Sequence, residues 1–137
     1  MKLKSVALAM ACLLAAPAFA DPVETFRGLC MAQLDNVPAL RAAAQKQGFK
    51  ITDLGANSFM GARKRTDESI QVNVFTKARF ECAVTTSDVA DPEALRARFF
   101  SALGVQTRKS RVKAQIQGRS YVISFDTQGG EALVIAR

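Results

Sequence analysis

The chain has 137 residues, 49% apolar and 23% charged, with three cysteines, no histidine, no tryptophan and a formal net charge of +7. That balance excludes a disordered chain, and this length points to a single globular domain. The missing histidine excludes Cys-His zinc sites, Ser-His-Asp and Cys-His triads, and any histidine pH switch.

Residues 1–20 have the pattern of a cleaved secretory signal. Lys2 and Lys4 form a positive start, Val6 to Ala16 an apolar core, and Ala18-Phe19-Ala20 a small-residue cleavage site. The apolar run is short for a bilayer span and is followed at once by Pro17. Cys12 raises a lipoprotein alternative, but Leu13-Leu14 continue the apolar core past it, so it is read as leaving with the signal. Cleavage after Ala20 leaves residues 21–137 as one domain, with 17 basic and 12 acidic side chains and a net charge of +5. No later segment has the apolar length of a transmembrane helix. The expected destination is the periplasm, with the extracellular space as the alternative. Both are oxidising, so Cys30 and Cys82 are expected to form a disulfide.

The first helix starts at Asp21-Pro22-Val23-Glu24, with an N-cap carboxylate, a first-turn proline and a glutamate three residues on. Val23, Phe26, Leu29, Cys30 and Leu34 follow at helical spacing, which places Cys30 on the buried stripe. Asp35-Asn36 and Pro38 predict a restart, giving an alanine-rich helix over 37–47 that ends at Gly48. Lys50 to Leu54 and Asn57 to Arg65 read as strands.

Ile70, Val72 and Val74 alternate with polar neighbours, as do Phe80, Cys82 and Val84. A three-residue loop, Thr76 to Ala78, sets Val74 opposite Phe80, Val72 opposite Cys82 and Ile70 opposite Val84. Cys82 then faces the core. A third helix runs from Asp91-Pro92 to Gly104, with Leu95, Phe99, Ala102 and Leu103 as its apolar face. Gly118-Arg119 suggests a glycine-first two-residue turn. It would set Ile116 opposite Tyr121, Ala114 opposite Ile123 and Val112 opposite Phe125, with Lys113 beside Ser124 and Arg111 beside Asp126 on the other face. A further loop at Gln128-Gly129-Gly130 leads to a last strand, Glu131 to Ala136, with Phe125 near Leu133 and Ile123 near Ile135.

The expected architecture is α+β, with two layers: helices packed on one face of a mostly antiparallel sheet. Two Asp-Pro-initiated helices, each followed by a β-meander, suggest an internal α-β-β-β duplication. One Cys30–Cys82 disulfide would tie the helical layer to the sheet, contributing about 4 kcal/mol in the chain-entropy model.

The cysteines lack the Cys-x-x-Cys spacing of a redox site. Asp67-Glu68 and Asp88 with Asp91 lack the ligand spacing of a calcium loop, so no metal or cofactor is expected. Asp21, Glu24, Asp91 and Glu93 read as residues complementing helix starts. Ser110, between Lys109 and Arg111, could only serve a histidine-free hydrolase, and no glycine-framed nucleophile elbow accompanies it. A non-enzymatic protein is therefore expected.

The strongest functional signal is basic patterning: Arg63, Lys64 and Arg65 at one strand end, and Arg108, Lys109, Arg111 and Lys113 around another. Should those strands be neighbours, the clusters would form one positive patch. The favoured reading is a small secreted or periplasmic binding or protein-interaction module, tied by one disulfide, whose partner is a periplasmic or envelope protein. The alternative is an anionic envelope component such as lipopolysaccharide, peptidoglycan or phospholipid. Nucleic acid is disfavoured, because the basic face lacks interleaved aromatics for base stacking. Phe75, near Arg79, is the one aromatic expected on a polar strand face; it marks either a contact patch or a site beneath the second helix.

Overall fold

The computed structural model describes residues 21–76, 79–87, 89–127 and 131–137. Residues 1–20, on which the expected secretory signal falls, and residues 77–78, 88 and 128–130 lie outside the described residues.

Helix α1 (Pro22–Phe26) starts where the Asp21 carboxylate accepts the Val23 N–H at 3.1 Å. It passes into a π-helical segment, Arg27–Met31, where the Ala32 N–H reaches back to the Arg27 carbonyl at 3.0 Å. An uninterrupted α-helix was the expectation from the apolar spacing. The wider turn brings consecutive side chains closer around the axis, and Leu29 and Cys30, adjacent in sequence, are both fully buried. Helix α2 (Val37–Lys46) restarts on the Asn36 side chain, which accepts the Ala39 N–H at 3.2 Å. It closes with Gly48 at φ +90° and the Phe49 N–H on the Ala44 carbonyl at 3.1 Å.

Seven strands follow: β1 (Lys50–Gly55), β2 (Ser58–Arg63), β3 (Glu68–Thr76), β4 (Arg79–Thr86), β5 (Arg111–Ile116), β6 (Arg119–Asp126) and β7 (Glu131–Ala136). Helix α3 (Pro92–Ala102) lies between β4 and β5 in the chain, capped by Asp91, whose carboxylate accepts the Ala94 N–H at 3.1 Å. The strands form one antiparallel sheet ordered β1-β2-β3-β4-β7-β6-β5. The fold is α+β.

Register follows hydrophobic parity, because a one-residue slip would turn every core side chain to the other face. Val74 pairs with Phe80, Val72 with Cys82 and Ile70 with Val84, as alternation predicts. Pairing nevertheless extends to Thr76 and Arg79 across an irregularity at Phe75. The connection is therefore shorter than the expected three residues, and the extra residue is taken up by a bulge. Phe125 meets Leu133 and Ile123 meets Ile135, also as expected.

The β5–β6 hairpin corrects the sequence reading. Ile116 pairs with Arg119, Ala114 with Tyr121 and Val112 with Ile123. The turn is Gln117-Gly118, with φ of 53° and 77°, so both central residues are left-handed. That turn matches the twist of the flanking strands, whereas the glycine-first choice at Gly118-Arg119 would shift the pairing by two residues. Faces survive an even shift but neighbours do not. Arg111 lies opposite Ser124 and Lys113 opposite Val122, while Asp126 pairs with Ala132. Gln117 bears the steric cost of a β-carbon in this region. Gln117→Asn should raise stability by up to about 1 kcal/mol, read as a higher urea midpoint at unchanged slope.

Buried side chains from the three helices and the sheet form one core cluster. Phe26, Leu29, Leu40, Phe59, Phe99, Phe100, Ile123 and Ile135 are among its largest members. Phe99 anchors its aromatic part, edge-on to Phe26 with ring centres 4.9 Å apart and 5.1 Å from Phe100. The Cys30–Cys82 disulfide joins the π-helical segment to β4 within this cluster, with Cα atoms 5.7 Å apart.

Alternate positions build the opposite sheet face. One cross-strand row reads Met60, Gln71, Ala83, Val134, Ser124 and Arg111. The next reads Asn73, Glu81, Ala136, Val122 and Lys113. On β7 and β6 the side chains of these rows, Val134, Ser124, Ala136 and Val122, are small, Glu81 on β4 accepts from Asn73 at 3.4 Å, and cations stand at the β5 end.

Candidate interaction site

The two basic clusters do not meet. Four strands separate β2 from β5, which places them roughly 24 Å apart at about 4.8 Å per strand. The condition for a single positive patch fails, and the clusters have different environments.

Arg63 is committed to structure. Its guanidinium pairs with Glu68, donates to Thr66 Oγ1 at 2.7 Å, to Thr25 Oγ1 at 3.3 Å and to the Gln47 carbonyl at 2.9 Å, and lies 4.5 Å over the Phe49 ring. The Glu68 side chain is 0% exposed, and its oxygens also accept from Thr25 and Thr66, each at 2.9 Å. A buried carboxylate needs these partners, and Arg63 supplies the charge. Lys64 and Arg65 remain exposed at the adjoining 3-10 turn, Lys64–Thr66.

Around β5 the environment is different. Arg108, Lys109, Arg111 and Lys113 are all exposed, and none forms an ion pair among the described residues. The lead-in to the strand is held from below by Arg96, which is buried on α3. Arg96 Nη1 donates to the carbonyls of Thr107 at 2.9 Å and Lys109 at 3.0 Å. Its Nε and Nη2 grip the Glu93 carboxylate at 2.7–3.0 Å. The Glu93 hydrogen bond raises the Arg96 pKa, and Arg96 in turn lowers that of Glu93. Thus a fixed arginine shapes the segment that displays the free cations.

Backbone directions on β5 follow from one hydrogen bond. The Phe125 N–H donates to the Ser110 carbonyl at 2.8 Å, so residue 110 faces β6. In an antiparallel ladder the inward-bonded residues alternate, so Val112, Ala114 and Ile116 bond β6. The N–H and C=O groups of Arg111, Lys113 and Gln115 therefore point away from the sheet at its last strand. Ser110 is exposed beside them.

A second polar cluster ties the helix-linking turn to the sheet. Asp35, at φ 61°, accepts from the Tyr121 hydroxyl, from Arg137 at 3.0 and 3.3 Å and from Arg119 at 3.3 Å. Burial pushes the Asp35 carboxyl up, but Tyr121 and the two arginines outweigh it and hold it below the usual carboxylate range. Burial first, and Asp35 second, push the Tyr121 hydroxyl up. A depressed carboxylate stabilises the fold above its unfolded pKa, and that contribution is lost as pH falls through the folded value. Asp35→Asn, which tolerates the left-handed backbone, should lower the urea midpoint at pH 7. The gap to wild type should narrow below about pH 4.

Sequence reasoning missed Arg96 and Phe100 on the buried face of α3 and the roles of Glu68 and Asp35. For Arg96 a signal existed: it stands three and four residues before Phe99 and Phe100, on the same helical face. Phe75 is 58% exposed at the β3 bulge, with the Arg79 guanidinium 5.5 Å from its ring centre; it does not lie under α2. No family model, curated protein or solved structure matches the chain.

Proposed function

We propose that this is a non-enzymatic binding module of the bacterial periplasm, exported by its first twenty residues, that engages an anionic partner through the β5 end of its sheet. The observation that carries this reading is the set of four exposed cations, Arg108, Lys109, Arg111 and Lys113, without ion-pair partners among the described residues. Cations beside a structural carboxylate belong to the fold; unneutralised ones held on an ordered strand raise the local concentration of anions. The disulfide is compatible with an oxidising compartment.

The reading takes the helices as one layer covering the disulfide-bearing sheet face, with the small-residue face left open. It also takes the fold as a duplicated α-β-β-β unit, the first copy enlarged by α2 and β1. The sheet order supports this, since β2-β3-β4 is followed by β7-β6-β5, as a two-fold repeat requires. An envelope protein with an acidic segment is the favoured partner. Anionic lipid or polysaccharide is the second reading, favoured by the same free cations.

Charge reversal separates the clusters. Arg111→Glu with Lys113→Glu should weaken binding to acidic peptides or phosphatidylglycerol vesicles at least tenfold, and raised salt should do the same to wild type. Lys64→Glu with Arg65→Glu should leave affinity within about twofold. Affinity unchanged by reversal at 111 and 113, or a turnover activity lost on changing Ser110, overturns the reading.

A further inference from the structure

We infer that β5 is an acceptor edge for strand addition, and that its partner is an extended peptide segment alternating acidic and apolar residues. The inference rests on the proposed binding role of the β5 cations and names their partner.

Three observations combine. First, β5 ends the sheet, and the backbone groups of Arg111, Lys113 and Gln115 face outward, as derived from the Ser110–Phe125 hydrogen bond and the hairpin register. They present three donors and three acceptors at the repeat of one antiparallel strand. Second, the same three residues direct their side chains to one face, so an added strand places alternate side chains directly beside Arg111 and Lys113. Carboxylates at two alternate positions of the partner would neutralise both. Third, Val112, Ala114 and Ile116 are only partly buried against the core on the other face. The intervening partner residues would lie beside them, and apolar side chains there complete their burial.

The opposite edge lacks this combination. β1 has an irregular register between Asp53 and Gly55, and the Asp53 carboxylate is bound by Arg41 at 3.0 Å through both guanidinium arms. Bulges and engaged charges blunt an edge, whereas β5 is regular throughout. Cations on a free edge repel basic strands and would be desolvated without a counter-charge beside neutral ones, including those of a second copy, whereas an acidic strand neutralises them. Arg96 holds the lead-in residues, which lowers the ordering cost when a partner docks.

The test uses an end-capped peptide of four Glu-Val repeats, a block peptide of the same composition, and phosphatidylglycerol vesicles. Wild type should bind the alternating peptide at least tenfold more tightly than the block peptide. Gln115→Pro removes one outward N–H without changing charge or any β6-facing donor, and proline is accepted at such edge positions. It should cut affinity for the alternating peptide about tenfold while leaving vesicle binding unchanged. In wild type, the peptide should slow amide exchange at Arg111, Lys113 and Gln115, a readout that stands even if the proline variant folds poorly. Failure of wild type to prefer the alternating peptide, or to gain that protection, overturns strand addition. If reversal of Arg111 and Lys113 still abolishes vesicle binding, the cationic-site reading survives alone. If reversal changes nothing, both fall.

Discussion

Arg63→Met should destabilise the protein by about 3–5 kcal/mol, the range for stranding one member of a buried ion pair. The Glu68 side chain is 0% exposed, and without Arg63 its carboxylate keeps only the hydroxyls of Thr25 and Thr66. The variant also loses the bond to the Gln47 carbonyl and the contact with the Phe49 ring. Because domains of this kind are stable by only about 5–15 kcal/mol in total, the change should be large in a urea titration. Adding Glu68→Gln to Arg63→Met should recover part of the loss, since the buried charge is then gone. A loss below about 1 kcal/mol for Arg63→Met, or simple additivity in the double variant, would contradict this account of the pair.

Removing the disulfide should have an effect of similar size. Cys30 and Cys82 are both 0% exposed and separated by 52 positions, with the bridge linking the π-helical segment to β4. Cys30→Ala with Cys82→Ala should lower stability by about 2–5 kcal/mol. Native protein should resist reduction at concentrations that reduce the unfolded chain readily, because reductant must reach a fully buried sulfur. Free-thiol counting on native and denatured samples checks the second statement, and denaturant melts check the first. Two reactive thiols at Cys30 and Cys82 in denatured, unreduced protein would contradict the bridge.

The fold was legible wherever side-chain parity or caps determine it. Asp21, Asn36 and Asp91 mark the helix starts, and Gly48 and Gly104 the ends of α2 and α3. The alternation of Ile70, Val72 and Val74 against Phe80, Cys82 and Val84 excludes odd slips of register, which would turn one set away from the buried face, and the short connection between Thr76 and Arg79 selects among the even ones. The β5–β6 turn was not legible in the same way. Two registers preserve the faces, and the observed one puts Gln117 in a left-handed conformation that its residue type disfavours. Strand order was likewise hidden, since β4 pairs with β7 across α3 and a hairpin.

The candidate site was half legible. The cations of 108–113 stand in the sequence as they stand in the fold, exposed along one strand and its approach. Arg63 looked the same on paper and is a different object, because its partner Glu68 is buried. A sequence displays charge but not desolvation, and desolvation separates a structural arginine from an available one. Where the two clusters lie relative to each other depends on strand order, which local pattern does not encode.

Amide hydrogen exchange along β5 of the free protein tests the central claim most directly. The account predicts that the amides of Arg111, Lys113 and Gln115 exchange at least about tenfold faster than those of Val112, Ala114 and Ile116, because the former face solvent and the latter bond β6. Equal protection at all six positions would mean that the edge is covered or differently paired, and would contradict β5 as an available binding edge.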